Sequence, residues 1–251
     1  MNPLRAIAIA FSTYSRIPMP QFSWEEGDSK YALIFLPLVG CVIGLAFILW
    51  VELFSSFQPI FIAVGCVLLP LLLTGGIHMD GYLDTCDALA SLQSREKRLS
   101  ILKDVHIGAF AVIKGMMYLL ALVGVYSEDA LQLSLPLACG FVLSRSVSMV
   151  MLAALNNARG EGMLHALQEG APRRSILQSA ALFGFLACLI PLLLFPLPAL
   201  AGMAAVMLST VRFQRLALKE FGGITGDLAG YCIQHAELWW AVGLIIAWRF
   251  I

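Results

Sequence analysis

Residues 31–74 read YALIFLPLVGCVIGLAFILWVELFSSFQPIFIAVGCVLLPLLLT and carry a single charge, Glu52. Two apolar runs, 31–54 and 57–74, meet around Ser55-Ser56-Phe57-Gln58. A helix needs about 20 mostly apolar residues to cross a bilayer, with a range of roughly 17–25. Both runs reach that range, and the short polar link folds them into a hairpin. Five further apolar runs follow at 109–126, 131–155, 176–195, 197–211 and 238–251, the last two short for a crossing. The pattern predicts an all-α fold, a polytopic membrane helical bundle of about 6–7 transmembrane helices.

Composition agrees. The chain has 251 residues, of which 60% are hydrophobic and 13% charged, and 16 Lys+Arg balance 16 Asp+Glu. Mean hydropathy is +0.85. A soluble domain carries about 25% charged residues. This balance excludes a disordered chain, a nucleic-acid binder recruited by bulk charge, and a water-soluble globule. The six cysteines form no CxxC pair and no zinc-ligand spacing, so they read as reduced thiols packed as small hydrophobes.

The charges are clustered. Windows 1–30, 75–108, 156–178 and 212–237 hold 26 of the 32. Pairing the runs leaves three tips, 55–58, 127–130 and 195–198, that contain no Lys or Arg. Thirteen of 16 positive charges then lie on the opposite face, which the positive-inside rule makes cytoplasmic. The chain reads as one integral membrane domain, 1–251. Residues 1–30 form an N-terminal interfacial segment with a short helix stopped by Pro18 and Pro20. Residues 156–178 and 212–237 are cytoplasmic loops, and 75–108 is an Asp-rich catalytic segment. Glu52 and Lys114 lie near span ends, whereas Arg145 is deeper and must face protein or a polar cavity.

The segment 75–108 reads GGIHMDGYLDTCDALASLQSREKRLSILKDVHIG. On a helix starting near 79, Asp84 and Asp87 lie about 40° and −20° from Asp80, one stripe of three carboxylates. Continuing that helix brings Arg95 and Arg98 to the same side, unless Gln93-Ser94 interrupts it. Such carboxylates repel unless they are solvated, protonated or bridged by a cation. Oxygen ligands alone suit Mg²⁺, with Mn²⁺ as a substitute, and Arg95, Arg98 and Lys103 can neutralise phosphate. The combination reads as a diphosphate site at the membrane surface; a solvated acidic helix face is the plain alternative. His78 is a base or a hydrogen-bonding partner. A second window, GGITGD at 222–227, echoes GGIHMD at 75–80. There Gly222 and Gly223 permit close backbone approach to an anion, and Asp227 adds a carboxylate. Arg159, within Asn156 to Gly162, binds phosphate or anchors at the headgroups.

At these residues the chain resembles the cobalamin synthase family, the adenosylcobinamide-GDP ribazoletransferases. The resemblance lies in GGIHMDGYLDTCDAL (75–89), REKRLSILKDVHIGAF (95–110), ARGEG (158–162), GGITGD with Glu237, and FSTYSRIPMP (11–20). Tyr82, Cys86 and Tyr231 stand where that family more often has smaller residues. The resemblance implies that α-ribazole or its 5′-phosphate attacks the cobinamide-bound phosphate of adenosylcobinamide-GDP. GMP leaves and adenosylcobalamin or its phosphate forms, with Mg²⁺ required. It implies catalytic roles among His78, Asp80, Asp84, Asp87, Lys103 and Asp227, with the metal on Asp80, Asp84 and Asp87. Substrate contacts are then expected from Arg95, Arg98, Asp104, Arg159, Gly222, Gly223 and Glu237. Partners are these two substrates and the lipid bilayer, not nucleic acid, and the location is the bacterial cytoplasmic (inner) membrane with charged loops facing the cytoplasm. Two other enzyme classes use aspartate-rich motifs in membranes, CDP-alcohol phosphotransferases and prenyltransferases, but neither pattern is matched in full. A transporter would place its acids deeper within spans.

Overall fold

The computed structural model describes residues 3–20, 29–159 and 172–251. Among these there are ten α-helices and no strand. They are α1 (Pro3–Tyr14), α2 (Leu36–Leu53), α3 (Pro59–Thr74), α4 (Ile77–Ala90), α5 (Arg95–Ile101), α6 (Ala109–Asp129), α7 (Ser134–Ala154), α8 (Arg173–Leu194), α9 (Pro196–Leu216) and α10 (Gly226–Arg249). A 3₁₀ turn, Ser29–Phe35, leads into α2, and a π-helical turn, Ala217–Phe221, extends α9. Proline opens α3 and α9 at the first helical position, where its missing N–H has no partner to lose.

Five helical segments are long and apolar enough to cross a membrane: Tyr31–Leu53, Ala109–Asp129, Ser134–Ala154, Arg173–Leu194 and Pro196–Phe221. A sixth arises if α3 is joined to α4 as one bent span. The fold is thus the expected helical bundle, with two adjustments at its C-terminal half. The run 197–211 belongs to a helix that continues through Arg212 and Arg215, cations that suit a helix C-terminus. The run 238–251 is the second half of α10, whose 24 residues extend ~36 Å. Most of the expected 212–237 loop is therefore helix, leaving only 222–225 between the elements.

Helices alternate in direction, so two ends are defined. At one end are the tight α2–α3, α6–α7 and α8–α9 connections. There Arg249 Nε at the end of α10 donates to Glu128 Oε2 at the end of α6, 2.9 Å away. At the other end α4 and α5 cross the bundle. Gly75 and Gly76 take φ of +64° and +79°, a left-handed conformation that glycine adopts without a Cβ penalty. The chain turns by 96° between α3 and α4 at this pair. Hence α4 leaves the direction of the spans and lies across the N-terminal ends of α6 and α10. Contact with α10 is close: a Cβ at Gly81 would lie 2.7 Å from the Asp227 carbonyl oxygen, and one at Gly230 would lie 2.9 Å from the His78 carbonyl oxygen.

Arg145 faces protein, as its depth requires. Its side chain is 1% exposed and pairs with Glu237. The helix begun at α4 does not run on to the basic residues. It ends at Ala90, Leu92 takes φ of +51°, and Ser94 caps a separate α5.

Candidate active site

Two helices bring the carboxylates together, and a third segment adds an arginine. Positions i, i+4 and i+7 of α4 carry Asp80, Asp84 and Asp87, and the first turn of α10 carries Asp227. Thr225 fixes that turn by accepting Leu228 N at 3.2 Å. The segment after α7 supplies Arg159. It is held to the chain before α10 by a two-way backbone pairing: Ala158 N donates to Ile224 O and Ile224 N to Asn156 O, each at 2.9 Å. Gly223 sits against the Asn156 carbonyl, where a side chain would collide. Arg159 Nη2 is thereby brought 2.9 Å from Asp227 Oδ2.

Asp84 lies at the centre of the group. Burial first, and then the charges of Asp80, Asp227 and Asp87, push its carboxyl up to about 7, while Arg159 opposes the rise. A half-buried carboxylate among like charges is what a bound cation relieves. Asp80 is exposed. Asp87 is engaged otherwise: its oxygens accept Gly108 N and, at 3.3 Å, Ala111 N. It closes the N-terminus of α6 from a neighbouring helix, where a negative charge is favourable.

As placed, no three His, Cys, Asp or Glu side chains among the described residues form a ready metal cage. Asp87 is turned to α6 and Asp227 to Arg159. The donor set nonetheless fits Mg²⁺, which takes one or two carboxylates and completes its shell with water and substrate phosphate. Asp80 and Asp84, one turn apart, could supply such a pair.

The remaining expected residues divide. His78 is buried beside the cluster, its ring 6.5 Å from that of Tyr14. Arg98 is 13% exposed and pairs with Glu220. Arg95 Nη2 lies 3.4 Å from Lys219 O and covers Gly222, whose φ is +79°. Both arginines therefore tie α5 to the π-helical turn. Lys103 is exposed, as is Asp104, which accepts His106 N at 3.0 Å. Glu237 lies about three turns along α10 from Asp227, paired with Arg145 inside the bundle rather than facing the carboxylates. Gly160 to Gly162 fall outside the described residues.

Sequence reasoning missed the end of α1. Arg16 N donates to Leu73 O at 2.7 Å, and its side chain covers Gly75 at the α3–α4 corner. The available signal was the polar run Ser12-Thr13-Tyr14-Ser15-Arg16 that ends an otherwise apolar helix.

Fold and site together define a multi-pass membrane protein with a carboxylate-rich site at one end of its helical bundle. The family model for cobalamin-5-phosphate synthase matches residues 6–245. The chain belongs to that family. It is 39% identical over 249 residues to an adenosylcobinamide-GDP ribazoletransferase of Lachnoclostridium phytofermentans, covering 98% of this chain and 95% of the relative. Proteins of the same name from Desulfitobacterium hafniense and Citrobacter koseri are 33% and 30% identical, covering 97% and 92% of this chain and 97% and 95% of their own lengths. No solved structure matches.

Proposed function

We propose that the protein transfers a cobinamide phosphate from adenosylcobinamide-GDP to α-ribazole or its 5′-phosphate, yielding adenosylcobalamin or its phosphate and GMP. The relatives' name supports the reaction, and the grouping of Asp80, Asp84 and Asp227 beside Arg159 is the observation that carries it to this site. The ribazole hydroxyl oxygen bonds to the phosphorus that bears cobinamide, and the bond from that phosphorus to the bridging oxygen breaks. GMP carries that oxygen away. Nucleophile and leaving group stand on opposite sides of the phosphorus, so the chain's part is mainly positioning and charge neutralisation.

Asp227 takes the hydroxyl proton, and Arg159 keeps that carboxylate oriented. Asp87 fixes α4 on α6, which sets where Asp80 and Asp84 point. Asp80 and Asp84 would hold Mg²⁺, or Mn²⁺ in its place, which supplies neutralising charge for the diphosphate and the departing GMP. The site faces the cytoplasm from the bacterial inner membrane, in keeping with the positive charge at that end of the bundle.

The test is turnover by purified protein in detergent or liposomes, given adenosylcobinamide-GDP and α-ribazole with and without Mg²⁺. Corrinoid product and GMP are expected in equal amounts and only with the cation. Folded protein that makes neither product with α-ribazole or its phosphate overturns the proposal.

A further inference from the structure

Two hollows meet at Asp80. One is an open groove of about 770 Å³ between the end of α1 and the α3–α4 corner, lined by Ser12, Thr13, Ser15, Arg16 and Gly76. The other is a more closed cavity of about 190 Å³ between α1, α4, α7 and α10, lined by Tyr14, His78, Ser148, Leu152 and Ile233, with Asp227 on its wall. Thr13, Ile77 and Asp80 belong to both.

Their chemistry differs. The groove presents hydroxyls and a guanidinium. Arg16 is exposed and has no ion pair among the described residues, whereas two of the three arginines expected to meet phosphate, Arg98 and Arg159, are occupied by Glu220 and Asp227, and the third, Arg95, lies against Lys219 O. The Arg16 backbone N–H is bonded to the Leu73 carbonyl, and its side chain lies over the corner glycine Gly75. An anchored, unpaired arginine on a hydroxyl-lined groove is suited to phosphate oxygens. The cavity is largely apolar. His78 on its wall is 5% exposed, and its buried Nε2 has no hydrogen-bond partner among the described residues. Buried polar atoms are nearly always paired, so an unmet nitrogen on a ring that lines a cavity marks a place for a ligand atom.

We infer that the two hollows divide the substrates. The groove takes the anionic diphosphate and nucleotide arm of the donor, with Arg16 on its phosphate oxygens. The cavity takes the flat aromatic base of the nucleoside acceptor. His78, with its proton on Nε2, donates to the base's unsubstituted ring nitrogen, and Asp227 lies toward the attacking hydroxyl. Asp80 stands where the hollows meet, so acceptor and leaving group approach the transferred phosphorus from opposite sides, as in-line displacement requires. This assignment rests on the transfer reaction proposed above, and it makes His78 a recognition residue.

Initial rates with each substrate varied in turn provide the test. Arg16→Gln is expected to raise KM for adenosylcobinamide-GDP about tenfold or more while KM for α-ribazole stays within about twofold. Leu152→Trp, which fills the cavity, and His78→Phe, which removes the donor, are expected to do the reverse. Equilibrium binding to the unaltered protein covers the event that a variant fails to fold: α-ribazole should bind without Mg²⁺ and should not be displaced by saturating GMP. Wild-type turnover with KM changes that fall on the wrong substrate, on both or on neither overturns the division of substrates alone, as does displacement of α-ribazole by GMP. Wild-type protein that fails to use α-ribazole overturns the reaction itself, and the subsites with it.

Discussion

Arg145 and Glu237 face each other inside the bundle, with side chains 1% and 5% exposed. Ser144 Oγ adds a donor 3.3 Å from the Glu237 carboxylate. Removing one partner of a buried pair strands the other charge, at a cost of about 3–5 kcal/mol, whereas replacing both by apolar groups is often neutral. Arg145→Met should therefore lower the unfolding midpoint in detergent sharply, and Arg145→Met with Glu237→Leu should recover most of the loss. The double variant should keep wild-type KM values. A raised KM in a stably folded double variant would return Glu237 to the substrate contacts.

A pH dependence follows from Asp84. Burial first, and then the charges of Asp80, Asp227 and Asp87, push its carboxyl up to about 7. Mg²⁺ needs the ionised form, so binding displaces a proton wherever the group is still protonated. Mg²⁺ affinity should climb as pH rises through about 7 and level off above it. Asp80→Asn removes one of the charges that raise Asp84, so the midpoint should move to lower pH. Calorimetric titration with Mg²⁺ in buffers of different ionisation enthalpy measures the released proton. Affinity that is flat across roughly pH 6–8 would remove Asp84 from the cation site.

The spans and hairpin tips were legible because apolar length is a property of the chain itself. The carboxylate stripe was legible because helical spacing fixes which side chains of α4 share a face. What the sequence concealed are pairings set by tertiary contact. Glu237 looks like one more polar residue near Asp227, and only the packing of α7 against α10 reveals Arg145 as its partner. Arg98 falls on the extrapolated stripe, but the break at Leu92 turns it to Glu220. Arg16 is remote in sequence, yet a backbone hydrogen bond to Leu73 brings it to the corner from which α4 departs.

The cap on α6 depends on a position without a side chain. A Cβ at Gly108 would run into both carboxylate oxygens of Asp87, whereas nothing lies within 4 Å of one at Gly124 on the same helix. Gly108→Ala should displace Asp87 from the α6 amides. Loss of a helix N-cap costs roughly 1 kcal/mol, and a shift of α4 should lower kcat/KM about 10–100-fold if Asp80 and Asp84 lose their positions. Gly124→Ala should leave activity unchanged and stability equal or higher by up to about 1 kcal/mol. Equal rates for the two variants would mean that the Asp87 contact does not position α4.

Tyr82 and Tyr231 meet each other. Their rings stack at 5.4 Å with planes 14° apart, joining α4 to α10 directly beside the carboxylates. His235 packs 4.3 Å from Tyr231 and extends the stack along α10. The two rings are then not independent, since trimming one leaves a gap that the other cannot fill. A double-mutant cycle of Tyr82→Leu and Tyr231→Leu, read by unfolding in detergent, should give a coupling of about 0.5–1.5 kcal/mol. The double variant should keep more activity than the two single losses predict when combined, because both helices can settle around the smaller pair. Additive losses in stability and in kcat/KM would mean that the two tyrosines fill separate spaces.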